Sequence, residues 1–66
     1  MQIQLNGEPH ALEHTQTVAD LVESLGLSGR RIAIELNEDI LPRSLHAETS
    51  LNDGDRIEIV HAIGGG

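Results

Sequence analysis

The sequence predicts an α+β domain in which a mixed sheet carries one main helix on one of its faces. Three observations predict it. The runs Gln2-Ile3-Gln4-Leu5 and Arg56-Ile57-Glu58-Ile59 alternate polar and apolar residues, the period of a half-buried strand. Between them Val18, Leu21, Val22 and Leu25 recur at i, i+3, i+4 and i+7, the single apolar stripe of an amphipathic helix. Of 66 residues, 25 are hydrophobic, 19 of these are Leu, Ile or Val, and none is Cys. The fold must therefore rest on one thin aliphatic core without disulfide or thiolate–metal staples.

The elements follow in order. Gln2 to Leu5 is the first strand, and Asn6-Gly7 is a two-residue hairpin signal because both residues accept positive φ. Glu8 to His14 reads as the return strand, with Leu12 inward and Pro9 marking an edge or a strand start. Thr17 is a good N-cap and Asp20 places an acid in the first turn, where it suits the helix dipole. The helix is expected over Val18 to Leu25, with Gly26 at the left-handed C-terminal cap. Arg31 to Leu36 is the next strand, with Ile32, Ile34 and Leu36 inward and Ala33 and Glu35 on the other face. Asn37-Glu38-Asp39 turns the chain, and Ile40-Leu41-Pro42 is a short extended piece stopped by Pro. Arg43 to Glu48 is expected as one helical turn anchored by Leu45, with Leu51 plugging the core below. After the turn cluster Asn52-Asp53-Gly54-Asp55, Arg56 to Ile63 is the last strand. Ile57 and Ile59 share its inner face, and Glu58, Val60 and Ala62 share the outer one.

Strand, strand, helix, strand, short strand, strand suggests an α+β roll. The ubiquitin-like β-grasp has this order, with its first and last strands side by side and parallel at the sheet centre. Inward Ile3, Leu5, Ile57 and Ile59 suit that arrangement. The expected organisation is a β-grasp domain over 1–63 and a flexible glycine tail over 64–66.

Composition narrows the function. The net charge is −7, from 11 acidic and 4 basic residues. Such a surface repels a phosphate backbone and an anionic membrane and attracts basic protein surfaces. There is no Phe, Tyr or Trp, so the stacking platform for single-stranded nucleic acid is missing. There is no Lys, hence no amine for a Schiff base or for isopeptide attachment to itself. No apolar run approaches a membrane span and the N-terminus does not read as a signal peptide, so a cytoplasmic location is expected.

Candidate chemistry is sparse. His10 and His14 are four apart, but on a strand that spacing does not converge. Together with His46 they read as solvated or turn residues, and His61 stands out only for its nearness to the tail. The pairs Glu38–Asp39 and Asp53–Asp55 could be acid–base dyads, but both fall in turns, where Asp bonds its own backbone. A calcium loop needs ligands over about 12 residues. Gly64 to Gly66 precede no helix that could cradle phosphate, and the serines lack a nucleophile context. No catalytic residue and no metal site is expected. The glycines read either as an ordinary unstructured end or as a thin wire able to enter a narrow active site, since glycine has no Cβ and adopts any φ. In the second reading the chain is itself a substrate, and its carboxylate is the group that another enzyme activates.

On Thr17-Val18-Ala19-Asp20-Leu21-Val22, Glu35-Leu36-Asn37-Glu38-Asp39-Ile40-Leu41-Pro42-Arg43-Ser44, Asp53-Gly54-Asp55-Arg56-Ile57-Glu58-Ile59-Val60 and the terminal glycines, the sequence resembles the sulfur carrier proteins of thiamine biosynthesis. No one stretch is specific; their order and spacing together are. The resemblance implies that an adenylating, ubiquitin-activating-like enzyme uses Mg and ATP on the carboxylate of Gly66. Sulfur supplied through a cysteine desulfurase route then yields a thiocarboxylate, and thiazole synthase takes the sulfur. No cofactor would be bound by the carrier itself. Gly65 and Gly66 match the family's diglycine, and Gly64 is a mild departure at a variable small position. The sheet face opposite the helix would dock partners through Ala33, Val60 and Ala62, with Ile63 seating the root of the tail. Scattered apolar surface is the plainer reading of those residues. The small subunit of molybdopterin synthase, a ubiquitin-like protein modifier and a passive interaction domain remain alternatives.

Overall fold

A computed structural model describes residues 1–14 and 16–61 of the chain. Five strands form one sheet. They are β1 (Gln2–Leu5), β2 (Glu8–Ala11), β3 (Ile32–Leu36), β4 (Asp39–Leu41) and β5 (Arg56–His61), in the order β2-β1-β5-β3-β4. β1 and β5 run parallel at the centre, and the other neighbours are antiparallel. Helix α1 (Val18–Ser24) and a 3₁₀ helix (Arg43–Glu48) complete the fold.

Both hairpins turn in two residues with positive φ. The first uses Asn6 (52°) and Gly7 (82°), the second Asn37 (51°) and Glu38 (75°). This backbone twist matches that of the flanking strands. β2 is an edge strand, which is why it tolerates Pro9. It ends earlier than the return strand expected to reach His14. Leu12 still exchanges backbone hydrogen bonds with Met1 (2.8 and 3.2 Å), after which the chain bends. The bend brings Gln16 to Leu51 and Thr17 to Ser50, whose bridge ties the helix start to the segment before β5.

Helix α1 is specified at both ends. Thr17 Oγ1 accepts from the Asp20 N–H at 3.1 Å, and Asp20 Oδ2 accepts from the Thr17 N–H at 3.0 Å, a reciprocal capping box. The hydrogen bond from the Thr17 backbone, with that from its side chain, holds the Asp20 carboxyl below its ordinary pKa. At the other end Gly26 has φ 74°, Leu27 N–H reaches the Val22 carbonyl and Gly26 N–H the Glu23 carbonyl, each at 3.0 Å. Those two bonds make a Schellman cap, and its hydrophobic Leu27 packs on the core.

Val18, Leu21 and Val22 bury the apolar stripe of α1 against Ile3, Ile34, Ile57 and Ile59, with Leu12 and Leu51 closing the core. The 3₁₀ helix corrects two expectations, that Leu45 is its anchor and that His46 is solvated. Leu45 is largely exposed, and the buried residue is His46. Its Nε2 lies 3.1 Å from the Leu41 carbonyl, which makes that nitrogen the donor. A segment winding at about three residues per turn places its inner face differently from an α-helical turn, and a partnered imidazole can occupy it.

Asp53 and Asp55 serve the turn before β5. Asp53 Oδ1 accepts from Gln2 N–H (2.7 Å), and Asp55 accepts from Asn52 N–H (2.7 Å) and from the Asn37 side chain (3.1 Å). Both carboxylates thus hold the fold together here, as turn residues commonly do.

Candidate functional site

Because α1 covers one face of the sheet, the register of the strands states what the other face offers. Facing residues on neighbouring strands share a side. Ala33 pairs with Val60, Glu35 with both Glu58 and Ile40, and Gln4 with both Arg56 and Pro9. Reading inward from the end of β5, the open face therefore carries an apolar row, Ala33–Val60, and next an acidic row, Ile40–Glu35–Glu58. A polar row through Arg56 and Gln4 follows. Val60 is 57% exposed and Ile40 75%. Arg56 reaches Glu38 at 3.6 Å, an exposed pair of small energetic worth.

The structure brings together Ala33 and Val60, two of the residues expected to dock partners, as direct cross-strand neighbours. Ala62 and Ile63, expected beside them, lie outside the described residues, as do Gly64, Gly65 and Gly66. Ile40 is an addition to that face. In Asp39-Ile40-Leu41 only one apolar residue can point to the core, and the pairing of Leu41 with Ile34 decides which. Alternation alone left the pair undecided; the position of β3 was the missing signal.

The face has shallow recesses. One of about 210 Å³ is lined by Gln4, Gly7, Glu35, Glu38, Arg56, Ile57 and Glu58. Small-molecule sites usually span roughly 300–1,000 Å³ and enclose their ligand within apolar walls; this charged, open recess does not have that form. The histidines do not converge. His10 lies opposite Ile3 on β2, His46 is buried beside α1, and His61 ends β5 opposite Ile32. Among the described residues no group of three or more His, Asp or Glu is arranged to hold a metal ion. Among the described residues no helix is long and apolar enough to cross a membrane.

The fold defines a ubiquitin-like β-grasp domain with one face of its sheet left open. The chain belongs to the ThiS family, whose sequence model matches residues 3–66. It is 38% identical over 65 residues to the sulfur carrier protein ThiS of Bacillus subtilis, covering 97% of this chain and 98% of that one. The crystal structure of the thiamine biosynthesis protein ThiS from Geobacter metallireducens superimposes with a TM-score of 0.87 at 29% identity, covering 100% of both chains. The chain is also 42% identical over 66 residues to a thiazole synthase of Paramagnetospirillum magneticum. There it covers 100% of this chain but spans only 20% of the synthase.

Proposed function

We propose that the domain is a sulfur carrier of thiamine biosynthesis and that it acts as a protein substrate. In this reading an adenylating partner joins the Gly66 carboxylate to the α-phosphate of ATP with release of pyrophosphate, using Mg to balance phosphate charge. A persulfide supplied through a cysteine desulfurase route attacks the acyl carbon and AMP leaves. A thiol then cleaves the resulting acyl disulfide, forming a disulfide with the former persulfide carrier and freeing the thiocarboxylate. The resulting thiocarboxylate is delivered to thiazole synthase. Gly64 and Gly65 are the thread that passes into each partner's active site, since neither has a Cβ to clash with its walls. A water-excluding site protects the mixed anhydride. Ala33, Val60, Ala62 and Ile63 form the docking surface from which the thread departs.

The observation that carries this reading is family membership across residues 3–66. It is supported by the Ala33–Val60 row across β3 and β5, with Val60 exposed on the strand that leads in sequence to residues 62–66. Relatives that contain a matching stretch within a thiazole synthase favour the thiamine route over the molybdopterin one. The test is intact-protein mass spectrometry after incubation with ATP, Mg and the adenylating enzyme of the same genome, then with a sulfur donor. An AMP adduct followed by replacement of one oxygen by sulfur at Gly66 is the expected result. The same assay on a chain lacking Gly66 should give a folded, unmodified protein. Attachment to lysines of other proteins would instead identify a modifier, and no adduct with any activating enzyme would leave a passive binding domain.

A further inference from the structure

Glu35 and Glu58 stand directly opposite each other in the antiparallel β3–β5 pair, both on the open face. Facing like charges destabilise a sheet. Glu35 is half-buried, which weakens its screening by solvent. Arg56, two residues from Glu58 on the same face, is engaged by Glu38 at 3.6 Å. Both carboxylates line the 210 Å³ recess, with exposed Ile40 beside Glu35 and the Ala33–Val60 row next along the strands. The free domain thus sets two like charges against each other on the open face of its sheet.

We propose that Glu35 and Glu58 jointly receive an arginine side chain of thiazole synthase when the domain docks on it. The inference rests on the docking reading above and names its charge chemistry. Side chains at facing positions start roughly 5 Å apart at Cβ. A guanidinium, with five donors in a planar fork, can bond two carboxylates at that spacing, whereas an ammonium is a point charge. Ile40, Ala33 and Val60 supply the apolar border that excludes water and strengthens the pairing. A second copy of this chain does not fit, because a net charge of −7 would set acid against acid. The synthase is the partner that the relatives favour, since thiazole synthases carry a matching stretch in their own chain. Docking then removes the repulsion that the free domain tolerates, so the two acids favour the complex over the free state.

Glu35→Gln and Glu58→Gln test this, because each keeps the side-chain shape and removes one charge. Each variant should raise the Tm at low salt by roughly 2–4 °C. Each should weaken binding to the thiazole synthase of the same genome about tenfold in calorimetric titration, and the affinity of the variants should fall less steeply with added salt. Val60→Asp serves as the marker of the face itself and should abolish binding. If Val60→Asp abolishes binding but both Gln variants bind like the parent, docking stands and the role of the acids is overturned. If Val60→Asp binds unchanged, or the parent does not bind the synthase, the docking reading falls and this inference with it. A lowered Tm in the Gln variants would show that the acids stabilise the free fold, which also overturns the proposal.

Discussion

The side-chain oxygen of Asn6 accepts a hydrogen bond from the backbone N–H of Ile59 at 2.8 Å, across a separation of 53 residues. The Asn6 N–H donates to the Ile57 carbonyl at 2.9 Å. Asn6 therefore continues the β1–β5 ladder for one more bond after its main chain has turned away, and it does so at φ 52°, a conformation Asn tolerates. Asn6→Gly keeps the turn and loses the acceptor, and should cost about 1–2 kcal/mol. Asn6→Ala should cost roughly 1 kcal/mol more through left-handed strain. Urea denaturation of the two variants separates the terms, and equal losses would refute the division.

Leu51 is completely buried. Leu→Ala in such a site costs roughly 2–5 kcal/mol, while a domain of this size holds roughly 3–10 kcal/mol in total. Leu51→Ala should leave a substantial unfolded population at 25 °C, visible by circular dichroism. Leu45→Ala, on the exposed side of the 3₁₀ helix, should change stability by less than about 1 kcal/mol.

Glu38 sits at φ 75° in the β3–β4 turn, where a residue with a Cβ is strained by about 1–2 kcal/mol. Its exposed ion pair with Arg56, at 3.6 Å, returns only a few tenths of a kcal/mol. Strain should outweigh the pair, so Glu38→Gly is expected to stabilise the domain by about 0.5–1 kcal/mol, measured as a higher urea midpoint at unchanged m-value.

The capping box makes stability depend on pH. Hydrogen bonds from the Thr17 backbone and side chain lower the Asp20 pKa from 3.8 in the folded state. The contribution is therefore fully present above 3.8 and is lost as pH falls below that value through the lower folded pKa. Asp20→Asn should reduce the Tm at neutral pH, and the gap between the two proteins should close on acidification below that point. A gap that stays constant down to strong acid would contradict the assignment.

The sulfur-carrier reading makes its own demand on Gly65. Replacing it with Val introduces a β-branched side chain where a narrow passage is proposed. The Tm should stay unchanged while adenylation slows by more than about tenfold. Unimpaired adenylation would mean that the glycines are not needed for access.

Much of the fold was legible because local signals agreed with one another. Asn6-Gly7, the Thr17–Asp20 box and Gly26 each call for a particular backbone conformation, and the alternating runs around Ile3 and Ile57 need the same core as the stripe of Val18, Leu21 and Val22. Legibility failed where a choice depended on a distant partner. Leu45 and Ile40 are apolar but exposed, and the 3₁₀ turn and the β3–β4 register, neither visible locally, put His46 and Leu41 inside instead. On the open face, period-2 counting was enough to put Ala33 and Val60 on one side. The confrontation of Glu35 with Glu58 required the register, because a one-residue slip would have set each against a different neighbour.

The parallel pairing of β1 with β5 has a consequence for the birth of the molecule. The two strands at the centre of the sheet are the first and the last of the described strands to leave the ribosome. A nascent chain that has emerged only as far as β4 holds two hairpins and a short helix, with no central strand to unite them. Such fragments are marginal alone. Folding must therefore wait for residues near Ile57, and the long loop closure makes it slow relative to locally connected domains. Chains arrested before β5 should be cleared by proteases, so that every copy able to present the open face has been translated through β5.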